Sequence, residues 1–597
     1  MPTKSKSSST IGLKDDDSGE MVFDENLVAS RFNTFFCNIA DKLVKKLSHK
    51  DFNENGLIEY YKDKNVRSNS FVFDIVSEKE VEKLLLSLNV SKSTGCDKIP
   101  ARFVKDATDV ICSPLTYMIN LSLRKCTVPS DFKMARVVPL FKKGDRSSAG
   151  NYRPVAILPV ISKIYEKIVY KQFYNYLNEN DLIYKYQSGF RSSFSTDSAL
   201  TYMCDKIRYN MDDGYLTGLV LLDLQKAFDT VNHDILLKKL SAVGADDSVV
   251  KWFSSYVSDR KQVVQINNIT SQPMSTSCGV PQGSILGPLL FIIYVNDMSR
   301  AINSDSDLYL YADDSAILVK GKDVHAIEDK LSSDLGNVKL WLEENKLSLH
   351  LGKTESILFA SKSKLKKTSK LNVKVDDVVL QSKNSVKYLG ATIEQDLSGD
   401  TMGYNAVKKV NTGLKFLYRQ ASFLDLKEKK LLCYSMLQSC FDFACNVWYR
   451  SLKKSIKLQL QTAQNKMIRF ILGYHPRRHL YFDDFKQLGF LDVESRVDFL
   501  SLNTMYNICN HSAPMYMIDL IPRFLPAHST RRSQLSFIVS SDGTHGSLSF
   551  KCNSVKLWNK LPNVIKLSDS KDKFKQKCKS YLMCRMKEKE EDDFVRY

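Results

Sequence analysis

Apolar residues recur along the chain with two different periods, and the spacing predicts which stretches are helices and which are strands. From Leu27 to Leu47 (LVASRFNTFFCNIADKLVKKL) they fall at helical spacing. Ser77 and Glu80 make a capping-box signature ahead of Val81, Leu84, Leu85 and Leu88, which share one helical face. A polar loop, Ser91 to Pro100, follows. Arg136 to Phe141 (RVVPLF) reads as a short strand, and Ile161 to Leu177 as an amphipathic helix. Leu216 to Leu224 (LTGLVLLDL) is an apolar run with an acid at its penultimate position. Asp307 to Lys320 (DLYLYADDSAILVK) is two apolar runs around a double acid, the form of a hairpin. Beyond residue 400 the strand signals fade. Lys427 to Met436, Leu458 to Leu472 and Ser495 to Asn507 read as helices. Such interleaving of helices and strands argues for α+β.

Composition narrows the picture. The 597 residues are 43% apolar and 11% aromatic, enough for large cores and too much for a disordered or collagen-like chain. At about 150 residues per domain the length suggests roughly four domains. Lys and Arg number 86 against 67 Asp and Glu, a formal charge of +19, with a pI near 9.1. That excess points to an anionic partner, nucleic acid first; a basic surface that only keeps the chain in solution is the alternative. The 13 cysteines include no Cys-x-x-Cys pair and read as reduced thiols of an intracellular protein. Cys440, Cys445, His475 and His479 lack zinc-site spacing. Residues 1–25 are charge-rich and predict no order; no secretory signal and no membrane span is visible, so the expectation is a nuclear or cytoplasmic protein. Ser361 to Lys370 (SKSKLKKTSK) reads as a solvated loop, and Asp212-Asp213 ahead of Gly214 as a turn pair.

Candidate chemistry comes from acids placed where acids are costly. Asp223 ends an apolar strand, and Asp313 and Asp314 lie between two others. Gathering such carboxylates is unfavourable unless a cation neutralises them. Mg²⁺ suits such oxygen ligands and also takes substrate phosphates. Two such ions held roughly 4 Å apart can activate a hydroxyl and stabilise a leaving oxygen.

The order of motifs gives these acids a context. Asp223-Leu-Gln-Lys-Ala-Phe228 is followed by Gly279-Val-Pro-Gln-Gly-Ser284, then Tyr311-Ala-Asp-Asp314, Leu347-Ser-Leu-His-Leu-Gly-Lys353 and Val386-Lys-Tyr-Leu-Gly390. Upstream lie Arg136-Val-Val-Pro-Leu-Phe-Lys-Lys-Gly-Asp145, Asn151-Tyr-Arg-Pro154 and Gln187-Ser-Gly-Phe-Arg191. This ordered set resembles the reverse transcriptases of non-LTR retrotransposons, most closely those of jockey-like long interspersed elements. The resemblance implies a right-hand polymerase with fingers, a palm with an antiparallel sheet, a helical thumb and a helical C-terminal extension. The implied division is a disordered N-terminus (1–25), an N-terminal helical extension (26–120), fingers and palm (121–395), thumb or connection (396–510) and C-terminal extension (511–597).

The resemblance also implies roles. Asp223, Asp313 and Asp314 would be catalytic and hold two Mg²⁺, for which Mn²⁺ could substitute. Phe228 would exclude a 2′-hydroxyl by bulk, a plain core phenylalanine being the alternative. Gln282 and Gly283 would approach nucleotide and template. Arg153 would grip the triphosphate, helped by Lys142 or Lys143, between which the residues do not decide. Lys353 would protonate the leaving pyrophosphate. The partners would be an RNA template, a DNA primer and deoxynucleoside triphosphates, with no membrane; oligomeric state is not legible. A full-length element carries an endonuclease first, and too few residues precede the first fingers motif, so the expectation is a chain lacking it. Two further readings are an inactive remnant that binds nucleic acid and a viral RNA-dependent RNA polymerase. Phe228 and the Tyr-Ala-Asp-Asp form of the third motif weigh against the viral one.

Overall fold

The computed structural model describes residues 11–14, 19–47, 50–62, 64, 70–521, 536–539 and 543–595. Its main strands are β1 (Leu13–Lys14), β2 (Met21–Val22), β3 (Met134–Phe141), β4 (Tyr152–Ile157), β5 (Leu216–Leu222), β6 (Lys261–Ile266), β7 (Ile269–Thr270), β8 (Met274–Ser275), β9 (Asp307–Tyr311), β10 (Asp314–Gly321) and β11 (Glu355–Phe359). Short strands follow between Lys374 and Glu394, and every described element after Glu394 is a helix. The mixed α/β content and the helical last third match the periodicity. The chain divides into two compact units, each from three stretches: 1–190, 223–303 and 336–350, then 191–222, 304–335 and 351–597. Length alone suggested about four domains; interleaved stretches share cores, so the units are fewer and larger.

In the first unit the sheet order is β4-β3-β6-β7, with β8 also on β6. β3 and β4 run antiparallel, whereas β3 and β6 run parallel. The helix Glu25–Val44 covers one face. Its first turn is capped by Asp24, which accepts from the Leu27 amide at 2.9 Å. Val28, Ala29, Phe32 and Phe36 then fall on one face and share a core with Val137, Tyr152 and Val264. Phe32 meets Tyr152 edge-on with centroids 4.9 Å apart. Buried Asn33 donates to Ser271 Oγ at 3.0 Å and to the Gln272 carbonyl at 2.9 Å.

One expectation fails here. The composition of residues 1–25 predicted no order, yet β1 and β2 pair and Leu13 enters that same core. A single buried leucine anchors a segment whose charge hides it from compositional reading. Residues 1–10 and 15–18 lie outside the described residues.

In the second unit the sheet order is Gln381–Ser382, β11, β5, β10, β9. β5 is buried at every position, as its apolar run predicts. It runs antiparallel to β10 and to β11. A Cβ on Gly218 would sit 2.7 Å from Leu331 Cδ1, so glycine lets the helical layer lie directly on the sheet. β9 and β10 form the expected hairpin.

The helix Thr196–Asp212 carries Asp205, Arg208 and Asp212 in successive turns of one face. Asp205 accepts from the Phe550 and Lys551 amides, both at 2.9 Å. Asp212 accepts from those of His545 and Gly546 at 2.9 and 2.6 Å. The turn reading of Asp212-Asp213 holds for Asp213 and not for Asp212, which ends the helix and caps a distant one. Arg208 donates to the Val447 carbonyl at 2.6 Å.

The helix Lys454–Leu472 buries Ile456, Leu460, Met467 and Ile471 on one face, as its spacing predicts. The SKSKLKKTSK stretch holds one exposed helical turn, Lys362–Leu365. All 13 cysteines are unpaired. No helix among the described residues is long and apolar enough to cross a membrane.

Candidate active site

The Gly279–Ser284 loop is held from both sides within the first unit. The turn that follows Asp223 supplies one side. Phe228 O accepts from the Val280 amide at 2.9 Å, and Val231 O from the Gly279 amide at 2.8 Å. His233 Nε2 donates to the Gly279 carbonyl at 2.9 Å, which fixes its tautomer, and burial holds the imidazole below its usual pKa. Gly279 has φ +83, and a Cβ there would lie 2.8 Å from Asp229 O. Strand β4 supplies the other side. The Ala156 amide donates to Gln282 O at 2.7 Å. Gly283 has φ +125, and a Cβ there would fall well inside contact distance of the Ala156 carbonyl. Both glycines are thus required by backbone conformation and by close approach.

Phe228 lies on this turn, half-buried. Its ring stacks on Phe291 with centroids 4.3 Å apart and planes at 20°, and meets Phe190 edge-on at 6.1 Å. Arg153 is on β4, opposite Leu140, on the exposed face of the sheet. Lys142 and Lys143 are both exposed just past β3. The structure thus brings Phe228, Gln282 and Gly283 together beside β4, and puts Arg153 three residues before Ala156 on that strand.

The acids follow strand ends. In the second unit Leu222, the last residue of β5, is registered with Ser315. Asp314 precedes Ser315 and pairs with Tyr311, while Asp313 lies in the turn after Ala312, whose φ is +57. Asp223 is the next residue of the chain after Leu222. In the first unit its carbonyl accepts from the His350 amide at 2.8 Å, and Leu224 bridges Leu349. None of the three acids is buried, contrary to the reading of costly buried carboxylates: Asp223 and Asp313 are half-buried and Asp314 is exposed, because all three lie past the apolar strand cores. Among the described residues no group of three or more His, Cys, Asp or Glu is arranged to hold a metal ion. Carboxylates that come together repel without a cation, and hard oxygens of this type are those Mg²⁺ takes. Lys353 is exposed at the end of a short 3-10 turn, Leu351–Lys353, in the second unit.

Three supporting residues escaped the sequence reading. Glu166 is buried, accepts from the Ile285 amide at 2.6 Å and from Tyr256 Oη at 2.9 Å, and so anchors the start of the helix Leu286–Tyr294 behind the loop. Burial pushes its carboxyl up. Lys226 donates to the Gly150 and Tyr152 carbonyls at 3.2 and 3.1 Å, flanking the Arg153 segment. Asp229 accepts from Gln282 Nε2 at 2.7 Å.

Residues 141–393 match the family of reverse transcriptases (RNA-dependent DNA polymerases). The matched stretch contains Lys142, Arg153, Asp223, Phe228, Gln282, Gly283, Asp313, Asp314 and Lys353. Similar proteins extend the likeness past it. The chain is 26% identical over 409 residues to the probable RNA-directed DNA polymerase from transposon BS of Drosophila melanogaster, covering 66% of this chain and 44% of that protein. It is 26% identical over 416 residues to the RNA-directed DNA polymerase from mobile element jockey of the same fly, covering 68% and 44%. To the putative 115 kDa protein in the type-1 retrotransposable element R1DM it is 25% identical over 377 residues, covering 62% and 36%. The chain spans less than half the length of these relatives.

Proposed function

We propose that this chain is the polymerase part of a non-LTR retrotransposon protein that adds deoxynucleotides to a primer 3′-hydroxyl on an RNA template. The observation that carries the reading is the register of β5 and β10: it ends with Leu222 opposite Ser315, so that Asp223 and Asp314 are the next residues along the two strands. The first unit would supply fingers and the loop that meets the nucleotide, the β5 sheet would be the palm, and the helices after residue 400 the thumb.

Asp223, Asp313 and Asp314 would hold divalent ions, Mg²⁺ by preference, which when bound activate the primer hydroxyl and stabilise the leaving oxygen. Phe228 presents a partly exposed ring, backed by Phe291, against a 2′-hydroxyl. Arg153 offers its planar fork to the triphosphate, with Lys142 or Lys143 beside it. Lys353 Nζ would give a proton to the leaving pyrophosphate.

Primer extension on an RNA template, with deoxy- and ribonucleotides supplied separately, tests the reading. Extension with deoxynucleotides alone is expected. Asp313→Asn should abolish extension and leave RNA binding intact. Unchanged extension by Asp313→Asn would remove the carboxylates from the mechanism, and RNA binding without any extension by the natural protein would favour an inactive remnant.

A further inference from the structure

A glutamine amide has a donor end and an acceptor end, and its backbone does not decide which end faces outward. In Gln282 that choice is made by one contact, Nε2 to Asp229 Oδ1 at 2.7 Å. Among the described residues its Oε1 accepts no hydrogen bond. The backbone on both sides of the pair is fixed. Gln282 O is held by the Ala156 amide, and the Asp229 amide donates to Lys226 O at 2.8 Å. Asp229 also packs against Gly279, where any side chain would collide with its carbonyl. An amide with a charged acceptor behind it and a rigid loop beneath it has one orientation.

We propose that Asp229 is a positioning residue that turns the Gln282 amide oxygen outward, so that the loop presents a hydrogen-bond acceptor to an O–H or N–H of the incoming nucleotide. The inference rests on the polymerase reading above and adds to it the polarity of the contact and the residue that sets it.

The arrangement has a built-in pH dependence. Burial pushes the Asp229 carboxyl from 3.8 up to about 6, against the opposing pull of the Gln282 hydrogen bond and the Lys226 charge. Lys226 faces it from its own turn. Cys278 faces it from the loop, with a thiol itself pushed up by burial. Arg260 and Lys261, next to and on β6, line the same small cavity as Asp229 and Gln282. Above about 6 the carboxylate accepts from Nε2. Below it the neutral acid can donate to Oε1 instead, and the amide is free to turn over. Nucleotide binding therefore weakens as pH falls through about 6.

Three measurements test this. In primer extension, Asp229→Leu should raise KM for deoxynucleotides about tenfold, the scale of one hydrogen bond to a charged group, with a smaller change in kcat. Asp229→Asn, which like the neutral acid offers a donor as well as an acceptor, should raise KM at every pH, by less than Asp229→Leu, and flatten the acid limb of the pH profile. In protein labelled with ¹⁵N-glutamine, with Gln282 assigned through Gln282→Met, the side-chain amide resonances should titrate with a midpoint near 6 in the natural protein and not in Asp229→Asn. An unchanged KM in folded Asp229→Leu, or an acid limb shared by Asp229→Asn, would overturn the proposal. If Asp229→Leu does not fold, the Asn profile and the amide titration decide. Absence of that titration overturns the positioning role whatever the activity, whereas a natural protein that does not extend primers overturns only the polymerase reading.

Discussion

Phe228 has two jobs that a single substitution can separate. Its stacking on Phe291 makes it part of the first unit's core, and its half-exposed ring leaves a face for a substrate. Phe228→Ala should lower stability by about 2 kcal/mol, at the small end for a lost aromatic because the ring is not fully buried. The same change should raise ribonucleotide incorporation by opening space beside the sugar. Thermal melting reads the first effect, and competition between deoxy- and ribonucleotides reads the second. A lower melting temperature with unchanged sugar discrimination would make Phe228 a packing residue alone. Phe228 was legible only through the motif order and the resemblance it carries, whereas Asp223, Asp313 and Asp314 also stand out as acids at the ends of apolar runs. Asp229 and Glu166 were not legible. Asp229 looked like one more polar position in a turn, and its meaning depends on Gln282, 53 residues on. Glu166 sits in an amphipathic helix, and its partner amide is 119 residues away. A contact between distant residues leaves no local period to read.

The elements that sequence pattern located are those whose neighbours are local or whose burial is complete. β5 is buried at every position, and the β9–β10 hairpin brackets its own turn. Strand β4 escaped, since Tyr-Arg-Pro-Val-Ala-Ile alternates weakly and carries a proline. So did the parallel pairing of β3 with β6, which joins residues more than a hundred positions apart. The loop between those levels, Gly279–Ser284, was read as a motif and is in fact wedged against β4. Its wedge makes a prediction at the scale of elements. Gly283→Ala adds one methyl at φ +125 beside the Ala156 carbonyl, so either the loop leaves the strand or the backbone strains. Losing the Ala156 to Gln282 hydrogen bond and adding strain should together cost about 2 to 4 kcal/mol. Extension should fall by at least tenfold while the melting curve stays cooperative. A Gly283→Ala protein with natural nucleotide KM and melting temperature would show that the loop tolerates displacement.

On the scale of the whole molecule, the resemblance implies that the C-terminal helices are a thumb or connection (396–510) with an extension (511–597). Within the second unit they are tied to one another and to the helix Thr196–Asp212 by buried polar contacts. Arg450 pairs with Asp498, both side chains being largely covered. Lys453 pairs with Asp400 at 2.6 Å. Asp205 and Arg208 form an ion pair whose side chains are only 1% and 2% exposed, and the same Asp205 caps the helix Phe550–Lys560. Burial raises the Asp205 carboxyl, and the Arg208 charge opposes that. Such a pair is stable only while every partner is present. Removing residues 543–597 takes away four amide donors, from His545, Gly546, Phe550 and Lys551, that Asp205 and Asp212 accept from. It also removes Phe574, whose ring stacks on Tyr506 at 4.3 Å. That short truncation, far from any candidate catalytic residue in the sequence, should therefore unfold the second unit and abolish extension on any primed RNA. Asp205→Ala, which leaves Arg208 buried with its charge uncompensated, should alone cost about 3 to 5 kcal/mol in urea unfolding. A protein ending at residue 542 that keeps its unfolding midpoint and extends a generic primer would mean that these caps are dispensable and the C-terminal helices a module in their own right.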